Sequence, residues 1–313
     1  MCSVGIFLGE ASLRYSFPNH PMNSGRVESF WQKLKEELGN KENVKIIEPI
    51  ATSEDFLLLF HTKEYIDFVK RASEYGFGYL DHGDTPAYKG IFEASTYAVG
   101  STLLGLDMIM KKELDHVFNP VGGHHHARRD RAAGFCVFND AAIAIIHAKK
   151  IYGLKRILYV DIDAHHGDGV CYGFYDDPMI FIADIHEDGR YLYPGTGFSH
   201  ETGSGKAEGT KLNIPLEPGA GDKEFKEAFI KVEEFAHQIK PELIIFQCGA
   251  DGLENDPLTH LRYTEEAHRY STKRLHEISH ELCNGRIIAL GGGGYNLNNV
   301  AKAWLEVVKG LLD

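Results

Sequence analysis

The residues most able to do chemistry begin at the end of a short apolar segment near the middle of the chain. Residues 157–160 contain no turn former, which is typical of a strand buried on both faces of a parallel sheet. Asp161, Asp163 and His165 follow at alternate positions, so all three are predicted to point to one side where the strand ends. Loops after the carboxyl ends of such strands carry ligands in open α/β sheets. The segment is a candidate site; the alternative is a strand end whose carboxylates cap the next helix.

A divalent metal is the ligand that suits this group best. Asp163 and His165, with Asp251 from the end of a later predicted strand, supply two carboxylates and one imidazole. Such a set leaves coordination positions open for water and substrate, as in catalytic sites. A metal ion there polarises a carbonyl group and lowers the pKa of its bound water.

Three adjacent histidines follow a Gly-Gly turn after another predicted strand. Packing alone is a poor explanation for them, because buried neutral imidazoles need hydrogen-bond partners. His125 and His126 require carboxylates to fix their tautomers, and Asp161 and Asp168 flank the predicted metal ligands. Two His–Asp pairs of this kind provide a general base and a general acid.

A run of four glycines, residues 291–294, precedes Tyr295 near the end of the chain. A phenol presented by so flexible a turn is placed to hydrogen-bond a developing oxyanion. The alternative is a phosphate-binding turn, but the chain has no G-x-G-x-x-G pattern and no P-loop lysine.

The elements that must position these residues predict a single-domain α/β fold over residues 1–313. About eight strands alternate with helical segments, which indicates a mostly parallel sheet with helices on both faces. The strands are predicted near residues 4–8, 44–48, 116–120, 157–160, 179–186, 212–216, 243–247 and 286–290. Helices are predicted over residues 26–38, 91–110, 141–150 and 222–240, and from residue 52 onward. Five loops that carry polar residues would then meet along one edge of the sheet.

Composition indicates a soluble globular protein, with 43% hydrophobic and 25% charged residues. No apolar run approaches a membrane span, and the first ten residues lack a basic region followed by an apolar one, so the expected location is the cytoplasm. The net charge of −12 argues against direct nucleic-acid binding, although an acidic rim would attract cationic substrates. The five cysteines lack C-x-x-C spacing, so we expect reduced thiols, with no disulfide framework and no thiolate zinc cage.

Taken together, the motifs resemble the zinc-dependent histone deacetylase family in order and spacing. The chain is similar to a bare catalytic domain of the prokaryotic members, including the acetoin-utilisation type, from the His20-Pro21-Met22 loop to the end. The motifs are Gly123-His124-His125-His126-Ala127, Gly134-Phe135-Cys136, residues 161–169 (Asp-Ile-Asp-Ala-His-His-Gly-Asp-Gly), Pro194-Gly195-Thr196-Gly197 and residues 291–296 (Gly-Gly-Gly-Gly-Tyr-Asn).

The resemblance implies an arginase-like fold and one catalytic metal ion per chain. Zn²⁺ would be held by Asp163, His165 and Asp251, with Fe²⁺ as an alternative in the cell. His125 would be the base, His126 its partly protonated partner, and Tyr295 the group that polarises the carbonyl. A structural K⁺ beside the metal loop, held largely by main-chain oxygens, is also implied.

The resemblance further implies a substrate tunnel. Phe135, beside Gly134, and Tyr193 would line a narrow acyl-lysine tunnel, with Asp84 holding the substrate backbone at the rim. Leu258 would lie at the mouth, where polyamine-selective members carry a glutamate. Arg26 would sit in an inner product channel.

Several positions separate this chain from its relatives. Binuclear manganese ureohydrolases share the Asp-Ala-His beginning, but the positions of their further carboxylates are Gly167 and Leu253 here, so one metal is expected. His124 replaces a commoner apolar residue, Tyr193 a commoner Phe, and Asp184 stands where relatives often have a Ser near the potassium site.

The sequence therefore predicts a metal-dependent amidohydrolase that uses metal-activated water to remove acetyl or related acyl groups from lysines of proteins or peptides. The alternative enzyme is a deacetylase of small acetylated amines such as polyamines. A catalytically silent acyl-lysine binding module is the alternative from another class, and the presence of Tyr295 with both His125 and His126 argues against it. The oligomeric state is left open.

Overall fold

One eight-stranded sheet organises the fold. The computed structural model describes residues 2–313; Met1, the first residue of the predicted domain, lies outside the described residues. The strand order is β2-β1-β3-β8-β7-β4-β5-β6, and every pairing between neighbours in this sheet is parallel. The strands are β1 (Val4–Phe7), β2 (Val44–Ile47), β3 (His116–Asn119), β4 (Ile157–Asp161), β5 (Ile180–Glu187), β6 (Lys211–Leu216), β7 (Leu243–Gln247) and β8 (Ile287–Leu290).

Helices cover both faces of the sheet. The helices within residues 2–313 are α1 (Gly25–Leu38), α2 (Glu54–Leu57), α3 (Lys63–Tyr75), α4 (Ile91–Met110), α5 (Asp140–Tyr152), α6 (Asp168–Gly173), α7 (Asp222–Ile239), α8 (Glu265–Cys283) and α9 (Leu297–Leu312). Helices α1, α7, α8 and α9 pack on one face, and α2 to α6 pack on the other. The side chains of β4 alternate between these layers, since Leu158 and Val160 enter the first core and Ile157 and Tyr159 the second.

This architecture confirms the predicted fold class. All eight strands lie where the sequence predicts them, and the four predicted helices agree with α1, α4, α5 and α7. The helix predicted from residue 52 is a single turn, α2, and a separate helix, α3, begins after Thr62, whose hydroxyl accepts a hydrogen bond from the Tyr65 amide (3.3 Å). None of the helices within residues 2–313 is long and apolar enough to cross a membrane.

The order of the strands explains why the polar loops meet. The loops after β3, β8, β7, β4 and β5 carry the predicted site residues other than Arg26 and Asp84, and these five strands are consecutive neighbours in the sheet. Because all five run in the same direction, their carboxyl ends lie along one continuous edge.

Candidate active site

Three predicted metal ligands converge at the carboxyl edge of the sheet. The ligand atoms of Asp163, His165 and Asp251 all lie within 4.8 Å of one another. His165 Nδ1 is 2.8 Å from an Asp251 oxygen and 3.1 Å from an Asp163 oxygen. The two carboxylates are fully buried, so water supplies little of the solvation their charges need.

The surrounding scaffold holds each carboxylate by the oxygen that faces away from His165. Asp163 Oδ2 accepts hydrogen bonds from Gln247 Nε2 (2.9 Å) and the Gly293 amide (2.8 Å). Asp251 Oδ1 accepts from the Ala164 amide (2.8 Å). One oxygen of each carboxylate is therefore fixed by the scaffold, and the other oxygen faces His165, where the three predicted ligands meet.

Electrostatics at this point favour a bound cation. Burial and the charge of Asp163 raise the pKa of Asp251 to about 7. Burial would lower the pKa of His165, but Asp251 and Asp163 outweigh burial and raise it to about 10. Two carboxylates and one imidazole fit a divalent ion of the zinc or ferrous type, whose charge would compensate this excess of negative charge.

His125 forms the first of the two His–Asp pairs. Its Nδ1 lies 2.8 Å from Asp161 Oδ2, and the same oxygen accepts a hydrogen bond from the Tyr159 hydroxyl (2.6 Å). Its Nε2 lies 3.9 Å from Asp163 Oδ1. Burial would lower the pKa of His125, but Asp161 and Asp163 outweigh it and raise the pKa to about 10. The His125 imidazole thus lies next to the predicted metal ligands, and the charge of Asp163 contributes to its raised pKa.

His126 forms the second pair in a different electrostatic setting. Its Nδ1 lies 2.7 Å from Asp168 Oδ1, and the other oxygen of Asp168 pairs with Arg128. Burial and the neighbouring His125 lower the pKa of His126 to about 4. The Nε2 atoms of His125 and His126 are 3.1 Å apart, a hydrogen bond that requires a proton on one of them. With both Nδ1 atoms directed at carboxylates, the two rings share one extra proton.

Tyr295 reaches the same pocket from the glycine run. Burial, then the charges of Asp251 and Asp163, raise its pKa well above the usual value, so the phenol keeps its proton. None of the hydrogen bonds within residues 2–313 uses its hydroxyl, while its amide donates to Asp256 Oδ2 (2.7 Å). Tyr295 thus has a fixed backbone and a hydroxyl available to a ligand.

Arg26 lies behind the glycine run. Its guanidinium is buried and donates to the Gly294 carbonyl (2.6 Å) and to the Gly292 carbonyl. Its Cζ lies 5.6 Å from the centre of the Tyr295 ring. Arg26 therefore supports the turn that presents Tyr295, and its predicted place in a product channel stays a prediction.

The remaining predicted substrate residues line one pocket above these groups. The lining includes Asp84, Gly134, Phe135, Tyr193 and Leu258. The predicted metal ligands Asp163 and His165 also contribute to its wall, together with His125, His126 and Tyr295. The structure thus brings together residues that lie as far apart in sequence as positions 84 and 295.

A backbone constraint shapes one wall of the pocket. Gly134 (φ +51°) and Phe135 (φ +68°) both adopt the left-handed conformation, which is costly for a non-glycine residue. A Cβ at Gly134 would lie 2.4 Å from His126 Cδ2. The Phe135 backbone is held on both sides, because its amide donates to Thr85 Oγ1 (3.1 Å) and its carbonyl accepts from the Tyr15 hydroxyl (2.6 Å).

The geometry gives no support for a second ion in the same pocket. Gly167 and Leu253, where binuclear enzymes would supply carboxylates, have no ligating side chain. A Cβ at Gly167 would lie 2.6 Å from Asp161 Oδ2. Among residues 2–313, the metal-ligand group at this edge of the sheet consists of Asp163, His165 and Asp251.

Comparison with known proteins identifies the family. The histone deacetylase domain matches residues 20–311. The chain belongs to the histone deacetylase family. The predicted resemblance is thus confirmed, and the family supports deacetylase activity, a hydrolase reaction.

Two curated relatives place the chain with the acetoin-utilisation type of this family. The acetoin utilization protein AcuC of Bacillus subtilis (strain 168) is 43% identical over 301 residues, which cover 92% of this chain and 77% of that protein. AcuC of Staphylococcus xylosus is 35% identical over 323 residues, covering 99% and 83%. A solved structure, the HDA15 HD domain, has a TM-score of 0.90 at 28% identity, covering 100% of this chain and 90% of that one.

Two residues that depart from the family pattern, His124 and Asp184, make specific contacts with neighbouring side chains. His124 lies in the pocket wall and stacks on Tyr15, with ring centres 4.4 Å apart. Asp184 accepts hydrogen bonds from His186 Nδ1 (2.6 Å) and from the Gly167 amide (2.8 Å). Burial would lower the pKa of His186, but Asp184 outweighs it and raises the pKa. A buried His–Asp pair therefore lies beside the metal loop.

Sequence reasoning missed several supporting residues of this histone deacetylase site. Asp140 accepts the amides of Gly123 (3.0 Å) and His124 (2.9 Å) and so shapes the histidine loop, and Gln247 orients Asp163. The available signal is a polar residue at the end of a buried element, because Gln247 closes the apolar strand β7 and is itself fully buried.

Proposed function

We propose that this chain is a metal-dependent amidohydrolase that removes acetyl or related short acyl groups from lysine side chains of proteins or peptides. The observation that carries the proposal is that three candidate metal ligands, two His–Asp pairs and Tyr295 converge in and directly behind the wall of one pocket. Each group has a partner that orients it, which a binding module without chemistry does not require.

Asp163, His165 and Asp251 would hold Zn²⁺, with Fe²⁺ as the alternative in the cell. A divalent ion at this set polarises the acyl carbonyl and lowers the pKa of water. Because the protein supplies only two carboxylates and one imidazole, the ion would keep coordination positions for the acyl carbonyl and for water.

The two histidines would then divide the proton transfers. Without a cation the shared proton rests on His125, because Asp161 and Asp163 raise its pKa. A cation held by Asp163 would weaken the attraction on that proton, and the 3.1 Å contact between the two Nε2 atoms would allow His126 to hold it instead. We propose that His125 then accepts a proton from the attacking water, and that His126, held by Asp168, donates one to the leaving amine.

Tyr295 would stabilise the charge that develops on the acyl oxygen. Its phenol stays protonated and its turn is fixed by Asp256 and Arg26. A donor fixed in this way need not reorganise during the reaction, which is the source of its catalytic effect.

The pocket wall supports lysine as the substrate. Phe135 and Tyr193 offer aromatic surfaces for an alkyl stem, with Asp84 at the rim to accept hydrogen bonds from a peptide backbone. Leu258 can pack on the stem but cannot compensate a second, distal ammonium group. We therefore favour acetyl-lysine peptides over acetylated polyamines.

Small acylated amines remain the second candidate, on one observation. Glu254 is exposed close to Leu258 in sequence, and the chain carries a net charge of −12. Such a surface attracts polycations, although attraction between exposed charges fades with salt while a placed carboxylate at the mouth would not.

A potassium ion beside the metal loop remains part of the proposal. Both oxygens of Asp184 already accept hydrogen bonds, from His186 and Gly167, so such an ion would depend on main-chain oxygens. Acetate release compared in K⁺ and in Na⁺ at equal ionic strength tests this component separately.

The central test is acetate release from an acetyl-lysine peptide and from an acetylated polyamine at physiological salt, each with and without chelator. We expect chelator-sensitive release that favours the peptide and returns when Zn²⁺ or Fe²⁺ is added. Faster turnover of the polyamine would favour the second candidate. No metal-dependent release from any acyl-amine would contradict the enzymatic proposal.

A further inference from the structure

A second group of metal-ligating side chains lies at the opposite, amino edge of the sheet. Cys2, His116, His276 and His280 each place one ligand atom within 4.8 Å of all the others. Cys2 precedes β1, His116 begins the neighbouring strand β3, and the two remaining histidines lie on α8. We call these four residues the amino-edge cluster, and none of them belongs to the proposed active site.

Two of its interatomic distances match those of a tetrahedral zinc site. With Zn–N bonds of about 2.0–2.1 Å and a Zn–S bond of about 2.3 Å, tetrahedral geometry separates two nitrogens by about 3.3–3.4 Å and a nitrogen from a sulfur by about 3.5–3.6 Å. In the structure, His116 Nε2 and His280 Nε2 are 3.3 Å apart. Cys2 Sγ and His280 Nε2 are 3.5 Å apart.

The amino-edge cluster also contains a buried polar atom without a partner. His116 is fully buried and His276 nearly so, and the Nδ1 atom of His276 has no hydrogen-bond partner among residues 2–313. Three imidazoles packed with centres 4.6–5.3 Å apart are hard to explain as apolar packing.

Helix geometry and backbone contacts explain how the cluster is assembled. His276 and His280 are four residues apart on α8 and therefore share one helix face. The Cys2 carbonyl accepts a hydrogen bond from Asn43 Nδ2 (2.9 Å), and the next residue, Ser3, donates its amide to Asp115 (2.7 Å). The thiol is thus held beside the histidines.

The α8 segment has the H-E-x-x-H spacing, His276-Glu277-Ile278-Ser279-His280, that metallopeptidases use for two zinc ligands and a general base. Here Glu277 is exposed and pairs with Arg274 on its own helix, so it does not face the cluster. Four protein ligands also leave no coordination position for a substrate. These features indicate a closed, structural site.

We propose that the amino-edge cluster binds one Zn²⁺ ion through Cys2, His116, His276 and His280. The ion joins the start of β1, the start of β3 and α8, and it is distinct from the catalytic ion. The expectation of one metal per chain then holds for the active site alone, and Cys2 is an exception to the expected absence of thiolate ligands.

Cobalt substitution tests the proposal, because Co²⁺ bound to a thiolate gives a sulfur-to-metal charge-transfer band and the active site contains no sulfur ligand. We expect two metal ions per chain in the wild-type protein and a cobalt complex with that band. Cys2→Ser and His280→Gln should each lose one ion and the band, with acetate release unchanged. Asp251→Ala should lose the other ion and keep the band.

Cys283→Ser is the matched control, because Cys283 is a buried thiol at the end of the same helix whose Sγ faces the Arg286 carbonyl and not the cluster. This variant should keep both ions and the band. Added Zn²⁺ should raise the Tm of metal-free wild-type protein further than that of Cys2→Ser. A cobalt complex without the charge-transfer band, or a band that survives Cys2→Ser, would each overturn the proposal, whether or not the chain proves to be a deacetylase.

Discussion

The two edges of the sheet hold metal-ligand groups of opposite design. At the carboxyl edge, Asp163 and His165 line a pocket and Asp251 lies beside them, while Gln247 and Gly293 hold the Asp163 carboxylate in place. At the amino edge, one thiol and three imidazoles face one another, and Glu277, the residue that would act as a base in a metallopeptidase, pairs with Arg274. The first group has room for a reaction, whereas the second has ligands enough to close around an ion.

This difference follows from the direction of the strands. Parallel strands gather their loops at the carboxyl edge, where loops can vary and carry a pocket. The amino edge is built from strand starts and the end of α8, which are close-packed. The same sheet therefore favours an open site at one edge and a closed site at the other.

The largest expected effect separates the two groups directly. In Asp251→Ala the active site loses one of its two carboxylate ligands, so we expect loss of the catalytic ion and a fall in kcat of more than about a thousandfold, beyond the scale of losing one oxyanion donor. Asp163→Ala should behave in the same way. Metal analysis and acetate release check both variants. The mononuclear active site would be contradicted if either variant kept its activity. It would also be contradicted if either variant kept two metal ions in addition to the ion of the amino-edge cluster.

Tyr295→Phe tests chemistry without changing metal binding. The substitution keeps the ring and removes only the hydroxyl, which no described residue uses. We expect near-normal stability, unchanged metal content at both edges and a kcat lower by roughly two to three orders of magnitude. Steady-state kinetics with an acetyl-lysine peptide make the measurement. Turnover close to that of the wild type would remove Tyr295 from the proposed mechanism.

Leu258 tests what the pocket at the carboxyl edge selects. Leu258→Glu places a carboxylate at the mouth, and we expect the ratio of kcat/KM values to shift toward acetylated polyamines by on the order of tenfold, the scale of one partly solvated charge contact. Leu258→Gln, with similar size and no charge, is the control and should leave the ratio near that of the wild type. Equal shifts in both variants would assign the effect to shape and not to charge.

His61 provides a buried histidine that belongs to neither metal group. It accepts a hydrogen bond from the Asn139 amide (2.9 Å), and burial lowers its pKa to about 3. Because the unfolded chain takes up this proton near pH 6.5 and the folded chain does not, stability should fall as the pH drops below 6.5, by up to about 1.4 kcal/mol per pH unit.

His61→Gln removes the titrating group and keeps an acceptor for the amide. Urea unfolding between pH 5 and pH 8 should show a shallower loss of stability at low pH for this variant than for the wild type. Parallel curves for the two proteins would show that His61 does not carry this pH dependence.

The sequence predicted the sheet well, because most strands are short buried apolar runs bounded by turn formers; the edge strand β2, which is not buried, is the exception. Two long helices, α8 and α9, were not predicted, although α9 has apolar residues such as Val300, Trp304, Val307 and Leu311 at helical spacing. The interrupted helix after residue 52 was not foreseen either, because a cap marks where a helix begins and not how far it runs.

The candidate site was predictable in its residues and not in its pairings. The sequence placed Asp161, Asp168 and both histidines near one another, but only the fold shows which carboxylate holds which ring. The amino-edge cluster was even harder to predict from the sequence. Its H-E-x-x-H pair is visible in the sequence, whereas Cys2 and His116 lie 164 residues or more from His280 and are joined to it by the packing of α8 on the sheet.

The backbone of Phe135 has a thermodynamic consequence for the pocket. Its left-handed conformation is secured from both sides by the hydroxyl groups of Thr85 and Tyr15 before any ligand arrives. The loss of conformational entropy needed to shape this wall is therefore part of folding and not of binding. We infer that an acyl chain loses conformational entropy when it enters the pocket, whereas the protein loses little. Relative affinities among acyl groups should therefore reflect how well each chain fits a wall whose shape is fixed before binding.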